Sequence, residues 1–363
     1  MSRLSGLGHR LYSGQSSVNI VGRRRTWYVV SGVILVVAIG SLLFRGLNLG
    51  IEFRGGGDFT IPNATCSIEQ ARAVAETKTG SQAIVTVSGQ GTVRVQTEAL
   101  STTESSQLAK ELSSTCGVGV DTIKIQVVGP TWGSEISKKA LQGLIVFVIL
   151  VALFMSIYFE WRMAVAGLIA LAHDLIITIG LYSLFGLEVT PATVIGILTI
   201  LGYSLYDTVV VFDKVKENTR NITGQSVLTY GEAANLALNQ TLVRSINTSI
   251  VALLPVLAIV FVGAGLLGAG TLLDLAVALA IGMAAGAYSS IFVATPFLVQ
   301  LKEKQPQMIA LATRVRSRRA NSAKNSAGAE GEPGADAGSV TTLVDSGPRQ
   351  QPKRVPRSKR SKK

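Results

Sequence analysis

Long runs of apolar residues recur along the chain and are separated by shorter polar segments. Each run is close to the roughly 20 residues that a helix needs to cross the hydrocarbon core of a bilayer. Buried helices of a large soluble protein would explain one or two such runs but not six, so the pattern predicts an all-α membrane bundle of six transmembrane helices. The runs cover residues 26–46, 140–159, 163–185, 190–212, 243–263 and 271–301.

Between the first two runs, residues 47–139 have a pattern typical of a small α+β domain. Stretches that alternate apolar and polar positions predict strands, and Gly89-Gln90-Gly91 indicates a hairpin between two of them. Ser67 followed by Gln70 is the capping-box signal of a helix start. The resulting order, β-α-β-β-α-β, is that of the ferredoxin-like fold. The predicted elements are strand 51–61, helix 67–79, strands 82–88 and 92–97, helix 102–115 and strand 121–128.

Charged residues make up 15% of the chain, against about 25% in soluble domains. The lysines and arginines beside the apolar runs all fall on one side of the predicted bundle, which the positive-inside rule makes cytoplasmic. Both termini are then cytoplasmic, residues 47–139 are external, and the net charge of +12 requires no specific nucleic-acid partner. The residues that set this orientation are Arg23, Arg24, Arg25, Arg162, Lys214, Lys216, Arg220, Lys302 and Lys304.

The two ends of the chain differ from the bundle in composition. We expect a cytoplasmic N-terminus over 1–25, a cytoplasmic loop at about 213–241, and a basic cytoplasmic tail over 303–363. From about residue 313 the tail is rich in Ala, Ser and Gly and then strongly basic, so it cannot bury a core and is predicted to be disordered. It could contact anionic lipid or ribosomal RNA, although solvation and support of the topology explain its composition more simply.

Cys66 and Cys116 are the only cysteines, and both lie beside helices of the predicted external domain. An oxidising compartment permits a disulfide, so we favour a bridge between them over two buried free thiols. Neither cysteine has the spacing of a metal ligand, and no metal is expected.

Glycine-rich segments elsewhere do not indicate nucleotide binding. Gly55-Gly56-Gly57 is not followed by Lys and Ser or Thr, which excludes a P-loop. A formal G-x-G-x-x-G over 263–268 lies between two apolar runs and follows no soluble strand, so helix packing or chance explains it better than a dinucleotide site.

Asp207 lies inside the fourth apolar run, where a carboxylate costs about 3 kcal/mol on insertion scales. Because intramembrane acids often mark proton relays, we interpret Asp207 as a carboxyl that gains and loses a proton. A permanent salt bridge to Arg244 is the alternative, and both interpretations make Arg244 its partner. Asp213 ends the same run, where a helix-end role is favoured. Other intramembrane polar residues that could support the site, or simply pair within the bundle, are His173, Asp174, Asn247 and Thr248.

Over roughly residues 18–302 the chain resembles the SecD/SecF family of protein-export subunits, within the resistance-nodulation-division transporter superfamily. The resemblance rests on ordered motifs that agree with the six-span layout. These are Gly50-Ile-Glu52-Phe53-Arg54-Gly55-Gly56, His173-Asp174-Leu-Ile-Ile-Thr, Phe185-Gly-Leu-Glu188, Ile197-Leu-Thr-Ile-Leu-Gly-Tyr-Ser204, Asp207-Thr-Val-Val-Val-Phe-Asp213, Glu217-Asn218 and Arg244-Ser-Ile-Asn247-Thr-Ser.

The resemblance implies a small, SecF-type subunit of the bacterial plasma membrane that couples proton flow to late steps of protein translocation. Asp207 would be the proton-carrying carboxyl and Arg244 its partner, with protons as the coupling ion and no cofactor. The implied partners are a SecD-like subunit, the Sec channel and its motor, preproteins and membrane lipid. Two positions depart from the family pattern: Glu52 stands where Asp is usual, and Tyr206 replaces the usual Asn before Asp207.

Three other functions remain open. A small-molecule or lipid exporter of the same superfamily usually carries both halves and large external domains. An intramembrane aspartyl protease would use Tyr206-Asp207 as its first motif, but the second motif, Gly-X-Gly-Asp, is absent. A structural scaffold would leave Asp207 and Arg244 as an inert pair. The prediction is therefore a proton-driven transport subunit and not an enzyme.

Overall fold

The computed structural model describes residues 17–88, 91–262 and 270–329. Within those residues six helices are long and apolar enough to cross a membrane, which confirms the predicted number of spans. The sixth is a composite of two α-helices joined by a π-helical turn, Ser290–Ala294. In chain order the elements are α1 (Arg24–Arg45), β1 (Asn48–Leu49), α2 (Ile51–Arg54), β2 (Gly56–Ile61), α3 (Ile68–Thr79), β3 (Ile84–Ser88), β4 (Thr92–Thr97), α4 (Thr102–Cys116), β5 (Lys124–Val128), α5 (Pro130–Tyr158), α6 (Trp161–Phe185), β6 (Glu188–Val189), α7 (Pro191–Asn218), α8 (Tyr230–Val262), α9 (Gly270–Ser289), α10 (Thr295–Glu303) and α11 (Pro306–Ala329).

Residues 56–128, called here the α+β region, form a four-stranded sheet with two helices. The strand order is β3-β4-β2-β5, and every neighbouring pair is antiparallel. Successive side chains of a strand point to opposite faces, and in β4 Val93 and Val95 are buried accordingly. Phe59 from β2 and Leu108 and Leu112 from α4 complete the core.

Both helices of this region begin and end where their sequences predict. Ser67 and Gln70 form a capping box at the start of α3, and Ser101 and Glu104 form another at α4. Such boxes satisfy backbone donors that the first turn leaves free. A disulfide joins Cys66, before α3, to Cys116 at the end of α4, with a Cα–Cα distance of 4.4 Å.

The strand predicted over residues 51–61 is wrong in its first half. Residues 51–54 form the short helix α2, and β2 begins only at Gly56. Gly55 has φ 78° and Gly56 has φ 151°, values that L side chains rarely adopt. A Cβ at Gly56 would lie 2.4 Å from the Thr97 carbonyl oxygen. The glycines therefore make a turn that ends α2 and brings β2 close to β4.

Helices α7 and α9 approach closely because small residues line their contact. A Cβ at Gly282 would lie 2.4 Å from the Ile200 side chain, and one at Gly286 would lie 2.9 Å from the Ser204 Cβ. Gly196 lies in similar contact with Ala278. This close packing places Ser204 of α7 beside the C-terminal end of α9.

A short parallel pair of strands connects the segments that follow α1 and α6. Asn48 pairs with Glu188 in this β1–β6 ladder. The Arg94 guanidinium of β4 donates to Glu188 at 2.5 Å and also to Asp58 of β2. An ion pair therefore links the α+β region to the loop between α6 and α7.

The predicted boundaries at the other end of the bundle need correction. The loop expected at about 213–241 is shorter, because α7 continues to Asn218 and α8 begins at Tyr230. The disorder predicted from about residue 313 is wrong as far as residue 329, because Pro306–Ala329 forms α11. Met308, Leu311 and Val315 pack into the bundle core at helical spacing, which the overall composition concealed. Residues 330–363 lie outside the described part of the chain, as do residues 89–90 of the predicted hairpin and 263–268 of the glycine motif.

Candidate functional site

The Asp207 carboxyl group lies inside the bundle and is bound by hydroxyl groups from two other helical segments. Asp207 is 5% exposed. Ser245 of α8 donates to its Oδ1 at 2.8 Å, and Ser290, at the start of the π-helical turn, donates to its Oδ2. A hydroxyl can donate to a carboxylate and can also accept from a protonated carboxyl group. The site can therefore hold Asp207 in either protonation state.

A second buried carboxyl group, that of Asp174 on α6, has the same kind of environment. Asp174 is 1% exposed. Its Oδ2 accepts from Ser289 at 2.8 Å and from Ser204 of α7. Its Oδ1 lies 3.2 Å from Nδ1 of His173. Two aspartates on neighbouring helices are thus each bound by two serines.

His173 is buried beside Asp174 and contacts Tyr288 of α9. The two ring centroids are 6.1 Å apart. The Tyr288 hydroxyl is 3.0 Å from that of Ser31 on α1, so the polar cluster reaches the first span. Within the described part of the chain, Nε2 of His173 has no hydrogen-bond partner.

Arg244 forms no ion pair with Asp207 within the described part of the chain, so their pairing stays a prediction. Arg244 is exposed on α8, and none of the ion pairs found among residues 17–88, 91–262 and 270–329 involves it. Successive residues of an α-helix point about 100° apart. Because Ser245 points to Asp207, its neighbour Arg244 points away from the bundle interior.

The other residues predicted to support the site lie outside it. Asn247 and Thr248 are exposed on α8, and the Thr248 hydroxyl donates to the backbone carbonyl of Arg244 at 3.0 Å. Asp213 is exposed near the end of α7 and lines a polar cleft with Lys216 and Arg220. Its position suits the helix-end role that the sequence favours.

Residues 52–56, the predicted external motif, form α2 and the turn after it. The Arg54 guanidinium donates to the Leu47 carbonyl at 3.2 Å, and Glu52 accepts from Gln126 of β5 at 3.4 Å. A Cβ at Gly133 would lie 2.6 Å from the Phe53 carbonyl oxygen. The motif therefore joins the α+β region to the first turns of α5, far along the chain from the buried aspartates.

Sequence reasoning missed the four serines that bind the aspartates. Ser289 and Ser290 form a dipeptide inside an apolar run, which is the only sequence signal that pointed to them. Serines are common between packed membrane helices, so their presence alone does not indicate a site. Their roles depend on which side of each helix faces the carboxyl groups.

The family assignment follows from the segment that holds both aspartates. Residues 107–304 match the family model described as protein export membrane protein SecD/SecF, C-terminal, and residues 40–56 match the SecD/SecF GG motif. The chain belongs to the SecD/SecF family. The first match contains both aspartates and all four serines, and the second contains the turn at Gly55 and Gly56.

Relatives of the SecD/SecF family match this chain over most of its length. It is 50% identical over 358 residues to "Protein translocase subunit SecF" of Streptomyces coelicolor, covering 97% of this chain and 96% of the relative. It is 46% identical over 316 residues to the protein of the same name from Mycobacterium tuberculosis, covering 83% and 72%. The crystal structure of SecDF, described as a translocon-associated membrane protein, from Thermus thermophilus matches with a TM-score of 0.71 and 32% identity, covering 80% of this chain and 39% of that one.

Proposed function

We propose that this SecD/SecF chain is the SecF-type subunit of the Sec translocase accessory complex and uses the proton motive force to promote late steps of preprotein translocation across the plasma membrane. The similarity to translocase subunits named SecF over most of the chain supports the export role. The single observation that supports a proton-driven mechanism is the Asp207 carboxyl group, buried in a membrane-spanning helix and bound by hydroxyl groups.

The chemistry of this site suits a proton carrier. A buried carboxylate without a cation beside it is costly in a low-dielectric interior, and protonation removes that cost. None of the ion pairs in the described part of the chain supplies Asp207 with a cation. The two protonation states differ by one charge, so they favour different packing of the three helical segments around Asp207. Proton arrival and release can thereby move helices.

Arg244 takes part in this mechanism, in our proposal, through a second subunit. A guanidinium on the lipid-facing side of a span needs an anionic or polar partner. Relatives named SecDF are longer, and this chain covers 39% of the Thermus thermophilus structure. We propose that a SecD-like subunit packs against α8 and receives Arg244 there. The exposed apolar side chains of α8 that would form this contact are Ile246, Ile250, Val251 and Leu254.

The α+β region faces the outside of the cell in this proposal, and both termini are cytoplasmic. Its element order and its antiparallel strand order, β3-β4-β2-β5, support a ferredoxin-like assignment. The Cys66–Cys116 disulfide supports placement in an oxidising compartment. There the region would meet preproteins that leave the Sec channel after the channel's motor has driven them in. Protons are the coupling ion, and membrane lipid surrounds the spans.

The test measures how export of a stalled preprotein depends on the proton gradient. Asp207→Asn keeps the shape of the side chain but cannot carry a proton, and Arg244→Met removes the guanidinium. We expect both variants to lose the gradient-dependent part of export while ATP-driven export continues. Asp213→Asn, an exposed acid on the same helix, is the matched control and should behave as the unaltered protein. Unchanged gradient dependence in both Asp207→Asn and Arg244→Met would contradict the proposal.

A further inference from the structure

We propose that Asp174 is a second proton-binding carboxyl group of this bundle and that Ser289 and Ser290 couple its protonation to that of Asp207. This inference rests on the proposed role of Asp207 as a proton carrier. It assigns to Asp174 a function of its own, where pairing within the bundle would leave it permanently charged and inert.

The groups around Asp174 come from three helices. His173 lies on its own helix, Ser204 comes from α7, and Ser289 comes from α9. Tyr288 of α9 contacts the His173 ring, and Ser290, the residue after Ser289, donates to Asp207. In the described part of the chain, His173 is the only basic side chain within ion-pair distance of Asp174.

The protonation of His173 decides whether Asp174 is permanently paired. A charged imidazolium would carry a hydrogen on Nε2 as well as on Nδ1. Nε2 is buried and has no hydrogen-bond acceptor among residues 17–88, 91–262 and 270–329. Leaving a charged donor buried and unsatisfied costs more than a neutral ring does. The unpartnered Nε2 therefore argues against a permanent His173–Asp174 ion pair, and Asp174, like Asp207, is bound by the hydroxyl groups of two serines.

The coupling between the two acids comes from the chain connection of their serines. Ser289 is the last residue of α9 and Ser290 is the first of the π-helical turn. The two hydroxyls are fixed to consecutive residues, so a rotation of this helix that withdraws one from its aspartate also displaces the other. A slip by one residue would place Ile291 or Ser289 against Asp207. Single-turn π-helices of this kind often occur at functional sites.

Protonation of either acid forms one O–H bond on its carboxyl group. A carboxylate oxygen accepts one proton from the aqueous side, no other covalent bond changes, and the serine hydroxyl rotates from donor to acceptor. Release reverses the step. When Asp174 becomes neutral, Ser289 no longer has to donate to it, and the same holds for Ser290 when Asp207 becomes neutral. The helical segment that carries Ser289 and Ser290 is then free to turn.

The experiment follows protonated-carboxyl infrared bands and gradient-dependent export in membranes that hold the full chain with its partner. The unaltered protein should show two titrating carboxyl bands from the bundle. Asp174→Asn should remove one band, change the titration midpoint of the Asp207 band, and cause a loss of gradient-dependent export. Ser289→Ala, which keeps both acids, should also change the Asp207 midpoint. Ser41→Ala, which removes an α1 hydroxyl that donates to Ser183 of α6, should leave it unchanged.

The outcomes separate this inference from the proposed function. If Asp207→Asn abolishes gradient dependence while Asp174→Asn leaves export and the Asp207 band unchanged, Asp174 is a structural residue and the inference is wrong. If Asp174→Asn does not accumulate in the membrane, an unchanged Asp207 midpoint in Ser289→Ala overturns the coupling. If Asp207→Asn itself keeps full gradient dependence, the proposed function fails and the inference fails with it.

Discussion

Ser289 and Ser290 are neighbours in the chain, yet their hydroxyl groups bind aspartates on two different helices. Ser289 binds Asp174 of α6, and Ser290 binds Asp207 of α7. The junction between α9 and the π-helical turn therefore connects two buried carboxyl groups within a single peptide unit. Any motion of this segment changes the surroundings of both acids together.

The close packing that forms this site depends on Gly286. A Cβ there would lie 2.9 Å from the Cβ of Ser204, which binds Asp174. Gly286→Ala should therefore push α7 from α9, lower the thermal stability of the purified protein, and reduce gradient-dependent export. Gly202→Ala is the matched control, because nothing lies within 4 Å of its added Cβ and alanine favours a helix over glycine by about 1 kcal/mol. Equal melting temperatures for the two variants would contradict this packing.

The disulfide stabilises the α+β region by restricting its unfolded state. Cys66 and Cys116 are 50 residues apart, and closing a loop of this length contributes about 4 kcal/mol in the chain-entropy model. Replacing both cysteines by serine should shorten the lifetime of this region under limited proteolysis of the membrane-embedded protein. Adding reductant to the unaltered protein should have the same effect. If the α+β region still resists proteolysis after both changes, the apolar core of Phe59, Leu108 and Leu112 is enough to keep it folded without the disulfide.

Arg94 holds the α+β region to the loop that precedes α7. Its guanidinium bridges Asp58 and Glu188, whose side chains are 6% and 16% exposed. Arg94→Ala leaves these two carboxylates facing each other without a cation, which should cost about 1–3 kcal/mol, below the cost for a fully buried pair because Arg94 is partly exposed. Hydrogen exchange of β1 and β6 should become faster. Arg72→Ala, at an exposed arginine of α3, is the control. Equal exchange rates of β1 and β6 in the two variants would show that Arg94 does not hold the α+β region to the loop before α7.

The capping box of α4 should respond to acid. The backbone N–H and the hydroxyl of Ser101 donate to the Glu104 carboxylate, and these bonds lower the pKa of Glu104 below its ordinary 4.5. A pKa that folding lowers contributes stability above its unfolded value and loses that contribution as the pH falls through its folded value. The protection factors of the first-turn amides of α4, which correct for the intrinsic exchange rate, should therefore fall below about pH 4.5, and Glu104→Gln should remove this fall. A pH response that persists in Glu104→Gln would assign it to another group.

Hydrophobic periodicity was sufficient to predict the spans and most elements of the α+β region. These features depend on which positions along the chain are apolar, and that information is local. The glycine turn after Arg54 is as the sequence predicts, but the short helix α2 was missed because an extended segment and a short helix share the same apolar positions over four residues. Helix α11 was missed because its buried stripe, Met308, Leu311 and Val315, is thin against a polar composition.

The candidate site was predicted only in part, because the direction of each side chain around its helix axis depends on packing. Asp207 was recognised from its position in an apolar run. Arg244 was expected beside it, but the next residue of α8, Ser245, is the one whose side chain faces Asp207. Ser290 lies 83 residues from Asp207 along the chain, and the close packing of α7 against α9 brings the two together.

If Asp207 carries the proton that drives export, the effect is measured best as release of a stalled preprotein from energised membrane vesicles that hold Asp207→Asn. Imposing a proton gradient should no longer speed release from these vesicles, although ATP-driven release and the amount of protein in the membrane are unchanged. Asp213→Asn should respond to the gradient as the unaltered protein does. A full response of Asp207→Asn to the imposed gradient would contradict the account.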